Sequence, residues 1–439
     1  MQRGERLKSL IEDWSLQFGE TEARVGCDLY CLRTGKRWGV DMDKGFAPAS
    51  NQKLWTTLAA IDVLGPDYRW RTGFAASSGC LYIRGGGDPS FDERAALQVA
   101  GELKERGLTW LKEVWLDDSL SSGPHWGKGW MWDDLAHGYG APIHALIIQG
   151  NRITFHLDPT SDPPQIAAIS PRFCQGKANT TLSWTENPDP EVEILRTGAE
   201  QFEIKGEVFR EEPEVEAAVA AGPEFFAEVM IGALQEKGVI LSEGIRVVRG
   251  SFSERADIRV DRWSPTLAEV LQRVNKESDN LTAEILLRTM GMMGRGMLSE
   301  EEGLLCMKCW FRKRGFQPPG VFAEGSGLSG YNQATPETIL NTLIQAQKDR
   351  CFHLWLDSLP RYGADGTLKN RTAVLPEGVK VAAKTGSLAG VKNLSGYFLN
   401  SEGEPVLSFS FLINGLLEEE NGEKLQDQLL PLTAKEWIK

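Results

Sequence analysis

A chain of 439 residues is too long for one compact core and leaves room for two or three domains. Its 41% hydrophobic and 25% charged content excludes the disordered and fibrous classes. A formal charge of -13 argues against nucleic acid or an anionic membrane as partner, since each needs a cationic face.

The opening residues, Met1 to Arg6, lack the apolar run of a signal peptide, and no window reaches the roughly 18 apolar residues of a spanning helix. Leu7, Leu10, Ile11, Trp14 and Phe18 recur at helical spacing, so residues 6 to 18 are expected to form an amphipathic helix. Val25, Cys27, Leu29 and Cys31 then alternate, and Arg33 to Lys36 turn the chain into Trp38-Gly39-Val40, which predicts a β-hairpin. After a loop at Phe46 to Ala49, Ser50 to Leu64 reads as a helix stopped by Gly65-Pro66.

Residues 73 to 256 change character. Gly85-Gly86-Gly87-Asp88-Pro89, Asp162-Pro163-Pro164 and Pro188-Asp189-Pro190 punctuate short strand-like runs, which predicts an inserted region of two subdomains, mainly β or α/β. The triple glycine lacks the G-x-x-x-x-G-K-[ST] pattern of a phosphate loop and reads as a tight turn. Seven scattered cysteines show no disulfide framework, and Cys306-Met307-Lys308-Cys309 is a lone C-x-x-C on a predicted helix. The five histidines match no H-E-x-x-H pattern, so neither metal nor cofactor is expected.

Toward the end, residues 379–383, 394–399 and 406–413 read as three short strands, and 423–439 as a closing helix. The two ends are expected to meet in one antiparallel sheet covered by helices, an α+β (α/β) domain made of residues 1–72 and 257–439.

Three motifs follow one another: Ser50-Asn51-Gln52-Lys53 (S-x-x-K), Ser278-Asp279-Asn280 (S-x-N) and Lys384-Thr385-Gly386 (K-T-G). Together they are the signature of serine acyl transfer. A spacing of three puts Lys53 one helical turn from Ser50, so a base stands beside a nucleophile. The hydroxyl also lies at the positive end of the predicted helix, worth roughly 0.3–1 kcal/mol to developing negative charge. For Lys53 to accept a proton near neutrality, its pKa must fall from about 10.4 toward 7, and burial together with Lys384 is expected to do this.

With these motifs in place, the sequence resembles the class C low-molecular-mass penicillin-binding proteins, which are D-Ala-D-Ala carboxypeptidases and endopeptidases. The resemblance runs along almost the whole chain: Gly85 to Pro89, Trp130 to Leu135, Tyr139-Gly140-Ala141-Pro142, Gly325-Ser326-Gly327-Leu328-Ser329 and Gly363 to Leu368, with a long gap between Ser50 and Ser278. It implies a transpeptidase-like domain with a five-stranded antiparallel sheet. It further implies that Ser50 attacks the bond between the terminal D-alanines of a peptidoglycan stem and that Lys53 takes its proton. Ser278 then relays a proton to the departing D-alanine, Asn280 holds the substrate amide, and Lys384 supplies positive potential. Thr385, Gly386 and Ser387 line the carboxylate site, and the backbone N–H groups of Ser50 and Ser387 form an oxyanion hole, worth roughly 3–4 kcal/mol per donor.

Asp134, Tyr139 and Leu388 match the family's pocket for the free amino end of the stem's diamino acid, while Gly330 stands where relatives often carry a basic residue. β-Lactams are implied as covalent inhibitors and the cell-wall side as the location, with an export signal trimmed from the chain. Two alternatives stay open. A β-lactamase is one, because Glu337-Thr338-Ile339-Leu340-Asn341 fits E-x-x-L-N, although Thr335-Pro336 before it reads as a helix start. The other is a sensor that binds peptidoglycan without turnover.

Overall fold

The computed structural model describes residues 4–187, 190–253, 255–315 and 320–438, with Arg295 described by its backbone alone. Pro188 and Asp189 of the Pro-Asp-Pro punctuation lie outside the described residues.

The chain opens with helix α1 (Glu5–Phe18), hairpin strands β1 (Arg24–Cys31) and β2 (Arg37–Val40), a 3-10 turn (Ala49–Gln52) and helix α2 (Lys53–Leu64). The inserted region follows as β3 (Arg71–Ser77), β4 (Cys80–Arg84), α3 (Glu93–Glu105), β5 (Trp110–Asp117), β6 (Ser121–Ser122), β7 (Arg152–Leu157), β8 (Ile166–Ser170), β9 (Lys177–Thr185), β10 (Val192–Arg196), β11 (Gln201–Phe209), β12 (Glu214–Ala218), α4 (Gly222–Glu236), β13 (Ile240–Arg249) and β14 (Ile258–Trp263). The chain then returns through α5 (Leu267–Lys276), α6 (Asn280–Arg295), β15 (Leu298–Ser299), α7 (Glu300–Lys313), α8 (Pro336–Ala346) and α9 (Phe352–Ser358). It ends with β16 (Lys380–Leu388), β17 (Val391–Leu399), β18 (Pro405–Asn414) and α10 (Glu419–Trp437).

Both ends of the chain build one antiparallel sheet, as the patterning predicts, with the five strands that the resemblance implies, in the order β16-β17-β18-β1-β2. One face, carrying Leu29, Phe398, Phe409 and Phe411, packs on Leu7 and Trp14 of α1 and Leu425 and Leu429 of α10. The other face packs on α2, α5, α6, α8 and α9 through Trp55, Leu271, Leu286, Leu343 and Trp355. Both faces of β17 and β18 are buried, so their polar residues, among them Asn393, Ser395, Ser408 and Ser410, are buried with the apolar ones.

In the inserted region a mixed five-stranded sheet, β13-β5-β4-β3-β14, is joined by two three-stranded sheets, β10-β11-β9 and β12-β7-β8. One contiguous apolar core, with Phe74, Val114, Phe155, Phe202, Phe226 and Met230, serves all three. The antiparallel pair β3/β14, in register Arg71↔Trp263, marks the crossing into this region just outside the expected limits of 73 and 256.

Candidate active site

The nucleophile's local geometry differs from the sequence expectation. Ser50 belongs to the 3-10 turn Ala49–Gln52, and α2 proper begins only at Lys53. Tertiary contacts hold that turn. Ala49 adopts a left-handed φ of 47°. Asn51 Nδ2 donates to the Lys384 carbonyl at 3.1 Å, and Gln52 Nε2 donates to the Glu324 carbonyl at 3.0 Å. Two glycines let neighbouring segments close on it: a Cβ at Gly386 meets the Pro48 carbonyl at 2.8 Å, and one at Gly327 meets the Ala49 carbonyl at 1.9 Å. The glycine of K-T-G therefore serves the approach of β16 to the nucleophile turn.

The three motifs meet around Lys53. Its Nζ donates to Ser50 Oγ at 2.7 Å, to Asn280 Oδ1 at 2.6 Å and to the Ser326 carbonyl at 2.7 Å, with the side chain fully buried. Lys384, on β16 and also buried, donates from Nζ to Ser278 Oγ at 2.9 Å and to the Thr385 carbonyl at 3.1 Å. Ser278 sits in the α5–α6 connection with a left-handed φ of 60°, which turns its hydroxyl toward Lys384. Thr385 Oγ1 lies 2.8 Å from Thr367 Oγ1, while Ser387, two residues on along β16, is exposed.

Asp279, between Ser278 and Asn280, fixes this connection. It caps α6 by accepting from the Thr282 N–H at 2.7 Å, and it faces Arg152 at 3.3 Å and Arg273 at 3.6 Å. Burial opposes its charge, yet the two guanidinium groups and the cap hold its carboxyl down at about 2.

Burial lowers the Lys53 ammonium to about 8, working against the carboxylates of Glu324, Asp279 and Glu284, all of which raise it. The repulsion from Lys384 expected to assist falls instead on Lys384 itself. Burial and then the Lys53 ammonium push Lys384 well below its ordinary range. When Lys53 gives up its proton, that repulsion on Lys384 is relieved, so the two amines titrate as a pair.

Asp134 lies in a 3-10 turn of the inserted region (Asp134–Ala136) and accepts from Tyr139 Oη at 3.2 Å and from the Met131 N–H at 3.1 Å. The Tyr139 carbonyl in turn accepts from Asn280 Nδ2 at 3.1 Å, which ties this loop to the S-x-N motif. Leu388 closes β16 opposite Val391, half-buried, and Gly330 is exposed. Glu337 lies in the first turn of α8 and pairs with Arg37 at 3.3 Å, the ordinary helix-start use. The cysteines are free, with Cys306 and Cys309 on α7.

Motif reading missed Asn51, Gln52, Glu284, Glu324 and Asn332, which surround the reactive groups without touching the solvent. Their signal is burial, and burial is not written in a local pattern.

The family described as D-Ala-D-Ala carboxypeptidase 3 (S13) matches residues 23–436. The chain is 29% identical over 389 residues to D-alanyl-D-alanine carboxypeptidase DacB of Haemophilus influenzae, covering 84% of this chain and 80% of that one. It is also 29% identical over 444 residues to a D-alanyl-D-alanine carboxypeptidase of Actinomadura sp., covering 94% and 80%. The crystal structure of penicillin-binding protein 4 (dacB) from Haemophilus influenzae superposes with a TM-score of 0.80 at 26% identity, over 98% of this chain and 99% of that one.

Proposed function

Because the chain belongs to the D-Ala-D-Ala carboxypeptidase 3 (S13) family, we propose that it hydrolyses the terminal D-Ala-D-Ala bond of peptidoglycan stem peptides through an acyl-enzyme on Ser50. The observation that carries this reading is the 2.7 Å contact between a fully buried Lys53 amine and the Ser50 hydroxyl. Neutral Lys53 takes the hydroxyl proton as Oγ adds to the scissile carbonyl. The developing oxyanion is held by the N–H groups of Ser50 and Ser387. As the C–N bond breaks, Ser278, in contact with Lys384, passes its proton to the leaving amine and takes in its place the one that Lys53 accepted, which leaves Lys53 neutral again, while Asn280 orients the substrate amide. Water then attacks the ester with Lys53 again as base, releasing the shortened stem and restoring Ser50. Thr385, Gly386 and Ser387 bind the terminal carboxylate.

The same attack opens a β-lactam ring, but the leaving amine stays tethered, so the acyl-enzyme persists and the drug inhibits. Cross-bridges with the same D-configured bond are cleaved by the same chemistry, which makes endopeptidase action an extension of this site. Such stems lie on the cell-wall side, which is where the protein acts. Among the described residues no helix is long and apolar enough to cross a membrane. The direct test is release of D-alanine from a synthetic peptide ending in D-Ala-D-Ala. No release, or equal release from the D-Ala-L-Ala isomer, contradicts the reading.

Lys53 must be neutral to act, so acylation rises with pH and levels off above about 8, where burial has brought its amine. At pH 6 the neutral fraction is about a hundredth, and the rate of penicillin acylation is expected to fall roughly a hundredfold below its plateau. A stopped-flow profile with no acid limb between pH 6 and 8 contradicts this assignment.

The Asp134 carboxylate, with Tyr139 beside it and Leu388 at the end of β16, is proposed to receive the free amine of the stem's diamino acid. Asp134→Ala is expected to lower kcat/KM about tenfold for peptides with that amine free, the scale of one charge-assisted hydrogen bond, and to leave acetylated peptides unchanged. Equal losses on both substrates count against the pocket.

A further inference from the structure

Beside Lys53 lie two fully buried carboxyl groups that no motif contains: Glu284 on α6 and Glu324 at the entry to the Gly325-Ser326-Gly327 turn. Glu324 is surrounded by donors. Its Oε1 accepts from the Gly327 N–H and from Asn332 Nδ2, both at 2.6 Å. Its Oε2 accepts from the Ser326 N–H at 2.8 Å, from the Ser326 hydroxyl and from Trp130 Nε1 at 3.4 Å. Glu284 is poorer: Oε1 accepts from the Gly325 N–H at 2.5 Å and the Ser326 N–H at 3.0 Å. Its Oε2 is buried with no hydrogen-bond partner among the described residues, and the Ser326 N–H that its Oε1 accepts is shared with Glu324 Oε2, which sets the two carboxyl groups side by side.

Two carboxylates buried side by side on one N–H offer each other only acceptors, so a proton on one relieves their repulsion. Glu324 already receives five donors and has no use for another hydrogen, whereas Glu284 Oε2 is the one oxygen left without a partner. We propose that Glu284 and Glu324 share a single proton seated on Glu284 Oε2, and that the pair is a positioning device for Lys53. It pins the 325–327 turn, whose Ser326 carbonyl holds Lys53 Nζ at 2.7 Å, and it presents one negative charge rather than two to that amine. The inference rests on the reading of Lys53 as the proton acceptor.

The charges around the pair agree. Glu284 faces Glu324, Arg288 one turn along α6 and Glu300 at the start of α7, while Lys53 faces Asp279 as well as the pair and stands beside Lys384. Burial, and then the Glu324 carboxylate, pushes Glu284 well above the usual carboxyl range. Burial acts on Glu324 too, but the hydrogen bonds from Glu284, Ser326 and Asn332 hold it below that range. A full charge on Glu284 as well as Glu324 raises the Lys53 amine, so a proton on Glu284 favours the neutral base.

Glu284→Gln replaces a neutral acid by a neutral amide and leaves the pair's charge unchanged. Its infrared difference spectrum against the wild type at pH 8 is expected to show loss of one undissociated carboxylic-acid carbonyl band. Its penicillin acylation rate should stay within about threefold, and the acid limb within roughly half a unit, of the wild type. Glu324→Gln turns a carboxylate that accepts five donors into a group with its own N–H, and acylation is expected to fall about tenfold or more. The proposal is overturned if Glu284→Gln loses no such band, if its acid limb moves by about a unit or more, or if it is as damaging as Glu324→Gln. A Glu284→Gln protein that fails to fold also overturns it, because a neutral side chain is what the site is built to hold. If the role of Lys53 fails instead, the wild type shows no acid limb tied to that amine, while the infrared band remains a separate readout.

Discussion

Ser50→Ala abolishes both D-alanine release and covalent labelling by penicillin, and leaves the protein folded. The hydroxyl is half-buried, and its side-chain bond is to Lys53 Nζ, which keeps Asn280 Oδ1 and the Ser326 carbonyl as partners once Oγ is gone. The loss is that of one hydrogen bond, about 1 kcal/mol, so thermal unfolding should shift by only a few degrees. Catalysis has no comparable reserve. Without the nucleophile the ester cannot form, and what remains comes from the oxyanion donors and substrate binding alone. A Ser50→Ala protein that still gains the mass of a penicillin contradicts the assignment.

Lys53→Ala is expected to slow acylation by about a thousandfold, within the range that a positioned general base contributes. Its amine touches the hydroxyl directly, and the other buried amine, Lys384, is engaged with Ser278 and the Thr385 carbonyl. Because Lys53 is fully buried, alanine also leaves a void and strips Asn280 and Ser326 of a partner. Lys53→Met fills most of that volume and separates the two effects. If both variants lose acylation alike while only alanine loses stability, the amine is the cause. A Lys53→Met rate within tenfold of the wild type, measured by rapid-quench labelling, points to another base.

How far the sequence reveals this protein depends on how local each determinant is. The helix over Leu7 to Phe18 and strands β17 and β18 follow from periodicity and apolar runs, which burial against α1, α10 and α2 makes obligatory. The pairing of Ser50 with Lys53 follows from a spacing of three. The 3-10 turn around Ser50 is not legible, since Ala49 to Gln52 would serve equally as a first α-helical turn. Gly327, Gly386 and the Lys384 carbonyl impose it from positions hundreds of residues away. The start of β3 at Arg71 escapes for a similar reason, since its partner in the sheet is the distant Trp263. No local pattern marks Glu284 or Glu324, and their burial comes from segments far apart in the chain. The depression of Lys53 was traceable to burial from the sequence, but the surrounding carboxylates, which set where the repulsion between the amines falls, were not.

The most direct test of Ser50 as the acylated residue is the intact mass of the wild-type protein after exposure to benzylpenicillin, followed by peptide mapping. One adduct with the full mass of the penicillin, on the peptide that carries Ser50 and Lys53, is the predicted result. An unmodified protein, or an adduct on any other peptide, contradicts the account.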